Sequence, residues 1–307
     1  MGRSLSLARV FVSGANGFVG RAICCALVQA GHAVAGGVRH DTMLPEGVAP
    51  FVTGDLATAS LRLDGFDAVV HAAGLAHRRG VPLEVWRRAN VIASENLARA
   101  VSSQARFIYV SSIGIYGRAP SGIVTEQTAS APQDDYALSK LEAEERLADM
   151  LGARLRILRP AAIVGPHCPG NIPLLLKLIR SGIPLPFGSI RNARSFVDIE
   201  DVAALTTLML QENAPSLVLA AYPEPISTPD LIRALARGLS RPARLLPVPT
   251  ACLGVVARVL GREAMFQSLT GSFIARPVQA MAMDWRPARN LSVSLERAAA
   301  AERVIKG

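Results

Sequence analysis

Short apolar runs alternate with amphipathic stretches through the first half of the chain. "RVFVSG" (9–14) reads as a buried strand, and "FVGRAICCALVQAG" (18–31) as a helix closed at Gly31. "HAVAGGVR" (32–39) is the next strand and "FDAVVHAA" (66–73) another, followed by an amphipathic helix near 83–103. "RFIYVSS" (106–112) predicts a strand, 135–151 a helix, and "RLRILRP" (154–160) a strand stopped by Pro160. Strand–helix alternation of this kind predicts an α/β fold, a doubly wound parallel sheet covered on both faces. Beyond residue 160 helices dominate, with breaks at "AYPEPISTP" and "LLPVP". This change predicts a smaller, mostly helical C-terminal part that closes over the carboxyl edge of the sheet. Residues 1–165, with a returning segment near 193–222, are expected to form the sheet domain. Residues 166–192 and 223–307 are expected to form the second part.

Composition narrows the function classes. The 307 residues are half apolar, enough for a substantial core in one large domain or two modest ones. No run of 18 or more apolar residues appears, so no membrane span is expected. The first residues run straight into a strand and a glycine loop, so no signal peptide is expected, and the opening Met-Gly is discounted as an acylation signal. Cys24, Cys25, Cys168 and Cys252 lack metal-ligand spacing and are expected to be buried, reduced thiols of a cytoplasmic protein. The formal charge is +9, but the bases are scattered and aromatics are few. That distribution lacks the stacking platform of a nucleic-acid binder; a basic cleft for a phosphorylated small molecule, or plain compositional bias, accounts for it equally well.

The loop "GANGFVG" places Gly14, Gly17 and Gly20 between a strand and a helix. Glycine permits the tight turn and lets backbone approach a pyrophosphate, while the helix N-terminus offers free N–H groups and positive potential. Asn16, Phe18 and Val19 complete this candidate dinucleotide contact. An acidic residue at the tip of the second strand would favour NAD through the ribose hydroxyls. Here Val38 and Arg39 stand at that tip, and a guanidinium there matches a 2′-phosphate, which favours NADP over NAD; the plainer alternative is a solvated arginine. Asp55 and Leu56 of "GDL" are expected near the adenine.

"DDYALSK" (134–140) puts Tyr136 and Lys140 one helical turn apart, on one side of a helix. A free phenol ionises near pH 10, too high for an efficient base at neutral pH. A neighbouring ammonium and an oxidised nicotinamide would both favour the phenolate, and the lysine can also bind ribose hydroxyls. Ser112, at the end of "FIYVSS", would hold the reacting oxygen in line. The plainer reading is an aromatic at a helix start and a solvated lysine; lysine is rare here, at three residues. Asp135 would oppose the phenolate if it pointed inward, so it is expected to face solvent or cap the helix.

The motifs "GANGFVG", "HAAG" (71–74), "YVSSIGIYG" (109–117), "YALSK", "RPAAIVGP" (159–166) and "RSFVDIEDVA" (194–203) span nearly the whole chain. Together they resemble the extended short-chain dehydrogenase/reductases of the NAD-dependent epimerase/dehydratase family. "GIPLPFGSIRNARSFVDIEDV" and "RPARLLPVP" resemble the subgroup acting on UDP-sugars in surface-polysaccharide synthesis. The resemblance implies a Rossmann-type fold, an NAD or NADP cofactor, a UDP-sugar substrate and a homodimer. It implies Ser112 as the family's catalytic serine, with Tyr136 and Lys140. His71, Ala72, Ala73, Asn90, Ser111, Pro160 and Ile163 would surround the cofactor. Asn171 would lie near the nucleotide phosphates and Arg194 would grip the diphosphate, although a helix N-cap and a surface charge are the plainer alternatives. Three departures stand out: Asp135 replaces the family's proline, the NAD-selecting acid is absent, and the near-terminal pattern is reduced to "ARPVQAMAMDW". After Ser112 the family's dehydratases carry an Asp-Glu pair; Ile113 and Gly114 stand there instead, which argues against dehydration. The expected chemistry is hydride transfer at C4 of a UDP-sugar, as a 4-keto reductase or as a 4-epimerase with retained NAD. A non-catalytic NADP(H)-binding sensor is the alternative of another class.

Overall fold

Strand β1 (Arg9–Ser13) is buried along four of its five residues, and α1 (Phe18–Gln29), β2 (Ala33–Val38), β3 (Val48–Val52) and β4 (Ala68–His71) follow it. The computed structural model describes residues 7–78, 80–259, 261 and 263–303. Next come α2 (Leu83–Arg87), a π turn over Arg88–Ile92, α3 (Ala93–Ala100), β5 (Arg106–Val110), β6 (Ile123–Val124) and α4 (Asp135–Leu151). The second half holds β7 (Leu155–Pro160), β8 (Ala162–Val164), α5 (Ile172–Arg180), β9 (Phe196–Asp198), α6 (Ile199–Leu208) and β10 (Leu217–Ala220). It ends with α7 (Thr228–Gly238), α8 (Thr250–Val259), α9 (Glu263–Thr270), β11 (Ile274–Ala275), α10 (Val278–Ala282) and α11 (Leu291–Ala301).

Seven strands form one sheet in the order β10-β7-β5-β4-β1-β2-β3, and every neighbouring pair is parallel. This is the doubly wound Rossmann arrangement, and the chain reverses its direction of travel across the sheet between β1 and β4. Alternate residues of each strand supply the two faces. Val10 and Val12 pack with Ile23 and Leu27 of α1 and Val202 and Leu205 of α6. Phe11 points the other way, to a layer holding Phe107, Leu97 of α3 and Leu147 of α4. There Phe11 meets Phe51 and Phe66 edge to face, at centroid distances of 5.4 and 5.6 Å.

Several expectations need correction. The helix expected near 83–103 is broken by the π turn and ends at Ala100, because Val101 is extended. Strand β3 carries Pro50, which lacks an N–H donor; it is tolerated because β3 is an edge strand. The four thiols are free, but only Cys24 and Cys168 are buried, and Cys252 is exposed. Burial, followed by the neighbouring Cys25, pushes the Cys24 thiol up to about 12. Among the described residues no helix is long and apolar enough to cross a membrane.

Candidate active site

The turn after β1 brings helix α1 unusually close to the strand. Gly14 adopts φ +69°, and a Cβ on Gly20 would lie 2.1 Å from the Gly14 carbonyl oxygen, so neither position accepts a side chain without rearrangement. Gly17 is the N-cap of α1, with no side chain bonding to the first turn and no acidic residue within it. The first-turn amides therefore keep their donors and their positive potential for an outside anion.

These amides open onto a cleft of about 560 Å³ at the carboxyl edge of the sheet. Gly17, Phe18, Val19 and Gly20 line it, with Ala72, Ser111, Pro160 and Ile163. Ser112, Tyr136, Lys140, Asn171 and Arg194 line the same cleft. Further lining comes from α7 and the α9–β11 region, including Thr228, Leu269 and Phe273. Asn192 ties these segments together: its amide donates to the Leu269 and Gly271 carbonyls, each at 3.1 Å, and its oxygen accepts the Thr228 N–H at 2.8 Å.

Helix α4 starts at Asp135, and the Asp134 side chain caps it by accepting the Ala137 N–H at 2.9 Å. Asp135 is exposed, as expected of a group that must not oppose a phenolate. Tyr136 is half-buried, with its ring 5.7 Å from that of Trp86. Its phenol is pushed above the ordinary value, not below it: burial raises it, a hydrogen bond to Ser112 works against this, and the Asp134 charge adds to the rise. The expected depression by Lys140 is thus absent from the protein alone: burial dominates, and the opposing contact is with Ser112. Lys140 is buried; its ammonium donates to the Val110 carbonyl at 2.9 Å and lies 4.6 Å from the Tyr109 ring centroid. Burial lowers its pKa to about 8, opposed by Glu144 one turn further on. Ser112 accepts the Gly114 N–H at 3.0 Å and so opens a short 3-10 turn, Ile113–Tyr116.

His71 and Asn90 stand behind the cleft. The His71 imidazole is fully buried between Ser13, at 2.6 Å, and Ser94, at 2.9 Å. Asn90 sits in the π turn, where its oxygen accepts the Leu75 N–H at 2.8 Å and its amide donates to Ser139 at 2.9 Å. It thereby fixes the segment after β4 against α4, and π turns commonly mark such sites. Asn16, Arg39, Asp55, Leu56 and Ala73 lie outside the cleft walls, as do Gly14, His71 and Asn90. Arg39 is exposed, and its charge reaches Asp55, whose carboxylate accepts the Ala57 N–H at 3.0 Å and pairs with Arg88 at 2.7 Å.

Residues 10–220 match the model of the NAD dependent epimerase/dehydratase family. The chain belongs to this family. A UDP-glucose 4-epimerase of Vibrio cholerae is 31% identical over 95% of this chain and 94% of its own length. MoeE5, solved with UDP-glucose and NAD, superposes with a TM-score of 0.78 at 22% identity, over 97% of this chain and 100% of its own. The human epimerase family protein SDR39U1, solved with NADPH, gives 0.76 at 23%, over 95% and 99%. These solved structures share the fold of this epimerase/dehydratase-family chain.

The residues present fit a dinucleotide. The uncapped α1 terminus suits a pyrophosphate, and the buried Ser111 hydroxyl, without a protein partner among the described residues, faces the same cleft. Asn171 stands at the α5 N-cap position, as in the plainer alternative, but makes no side-chain cap bond. Arg194 is half-buried and donates to the Gly271 carbonyl at 3.0 Å, and no carboxylate pairs with it among the described residues. Sequence reasoning missed Arg118, Asp134, His77 and Thr228, all on the cleft wall. Asp134 was visible as a capping type, but the others follow from contacts between distant segments.

Burial, followed by the Lys140 charge, lowers the His71 pKa to about 3. The unfolded chain, with an imidazole near 6.5, binds more protons between these values, so stability falls as pH drops from about 6.5 towards 3. Urea unfolding midpoints over a pH series are expected to fall more steeply for wild type than for His71→Asn. Equal slopes would contradict the assignment.

Proposed function

We propose that this enzyme transfers hydride at C4 of a UDP-sugar, with Tyr136 as the acid/base. The observation that carries the reading is the convergence of Ser112, Tyr136 and Lys140 on one cleft that also receives the α1 N-terminus. The nicotinamide, when bound, supplies or accepts the hydride. Tyr136 gives or takes the proton of the C4 oxygen, and Ser112 holds that oxygen while bonding the phenol. Lys140, fixed by the Val110 carbonyl, supplies positive charge beside the site. A bound, positively charged nicotinamide would oppose the desolvation that holds the phenol high. Arg194, half-buried and without a carboxylate, suits the diphosphate, and Asn171 the phosphate end of the nucleotide. The 3-10 turn after Ser112 carries Ile113 and Gly114, which cannot move protons, so the site does not support dehydration.

Two reactions fit this chemistry. Reduction of a UDP-4-keto sugar by NADPH is taken first, because Arg39 stands where an NAD-selecting carboxylate would be. Epimerisation with retained NAD is the second reading, favoured by the name of the Vibrio relative. A non-catalytic sensor would not need the three polar groups brought to one cleft. The cytoplasm and a homodimer are proposed with the reading.

Incubation with UDP-glucose, UDP-N-acetylglucosamine and a UDP-4-keto-6-deoxyhexosamine, with and without NADPH, separates the reactions. Stoichiometric NADPH loss with the keto sugar is the expected result; turnover without added cofactor would establish the epimerase instead. Tyr136→Phe is expected to lose about 100-fold or more in turnover with little change in cofactor affinity. A fully active Tyr136→Phe would overturn the acid/base role. For cofactor choice, Arg39→Ala is expected to weaken NADPH binding about tenfold, the scale of one charge-assisted contact, and to leave NADH binding nearly unchanged. An unchanged NADPH preference would refute the part given to Arg39.

A further inference from the structure

We infer that Arg118 is a positioning residue for Tyr136: it offsets the carboxylate of Asp134, the N-cap of the helix that carries the phenol. The inference rests on the acid/base role proposed for Tyr136. Arg118 and Asp134 both line the cleft, and their side chains approach to 3.5 Å. Asp134 cannot simply be moved away, because its other oxygen caps α4 two residues before Tyr136. Its negative charge is therefore built in beside the phenol, where it opposes ionisation.

The chain brings Arg118 to this carboxylate by a short, fixed path. Ser112 opens the 3-10 turn, Gly117 closes it at φ +91°, and Arg118 follows directly, its N–H donating to Gln133 at 3.1 Å. One segment thus places the hydroxyl on the phenol and the guanidinium on the carboxylate that opposes it. The other groups around Tyr136 do not perform this task. Lys140 lies one turn along α4 and is committed to the Val110 carbonyl. Trp86 of α2 and Ser112 carry no charge, and the Tyr109 phenol on β5 is held protonated by burial. Glu144 of α4 acts on Lys140, and Lys140 in turn acts on His71 of β4. Asp135 faces outward, where Arg87 feels its charge.

The test is a near-ultraviolet absorbance titration of the phenol, taken as the difference from Tyr136→Phe, together with the pH–rate profile. Asparagine caps helices as well as aspartate, so Asp134→Asn removes the charge and keeps the cap. Arg118→Met is expected to raise the Tyr136 pKa by about half a unit or more, and Arg118→Lys to restore it. Asp134→Asn is expected to lower it, and Arg118→Met added to Asp134→Asn to move it no further. An Arg118→Met variant with an unmoved pKa, or with the same shift in the Asp134→Asn background, would overturn the inference. A fully active Tyr136→Phe would instead remove the reading beneath it.

Discussion

A buried ammonium must find compensation inside the protein, and Lys140 finds it at the Val110 carbonyl, 2.9 Å away at the end of β5, and over the face of Tyr109. That contact fixes α4 against the sheet at the point where the strands end. Side chains four residues apart share a helix face, so the same docking sets Tyr136 on one side of Lys140 and Glu144 on the other. Tyr136 falls beside Ser112, which leaves β5 one step beyond Ser111. Glu144 is buried against Arg159 of β7, which also donates to the Tyr116 hydroxyl at 2.6 Å. Breaking one partner of such a buried pair strands the other charge, so this contact holds α4 near its middle.

The cleft depends equally on where charge is left uncompensated. Arg194 has a carbonyl but no carboxylate among the described residues, and the α1 N-terminus has no side-chain cap. Both favour anions arriving from outside. Asp134 is the exception, a carboxylate on the cleft wall, and it is held there by its work as a helix cap. Two polar groups behind the wall, by contrast, are matched within the protein: His71 with Ser13 and Ser94, and Asn90 with Leu75 and Ser139.

The glycine loop and the Tyr136–Lys140 pair were legible in the sequence because their meaning is local: a turn that needs glycine, and two side chains one turn apart. Helix α4 was readable to the residue for the same reason. Strand β3 was not, since Pro50 hides an edge strand, and the four-residue run of β10 carries no periodicity of its own. The π turn at Asn90 looks like ordinary helix in sequence and differs only by its contacts with Leu75 and Ser139. In the protein alone the Tyr136 pKa moves opposite to the direction expected with cofactor bound: neighbouring charges can be counted in a sequence, whereas burial cannot. Attention to Asp135 missed Asp134 for a related reason: which of two adjacent carboxylates caps a helix is decided by where the helix begins. Arg118 reaches Asp134 across fifteen intervening residues that include β6, a contact that no spacing announces.

The proposed reaction moves hydride to or from C4 of the sugar. It is tested most directly by a single turnover with a UDP-sugar deuterated at C4 and oxidised cofactor, quenched before completion. Mass spectrometry of the cofactor is predicted to find deuterium in the reduced nicotinamide. Consumption of the sugar with the cofactor free of label would contradict the account.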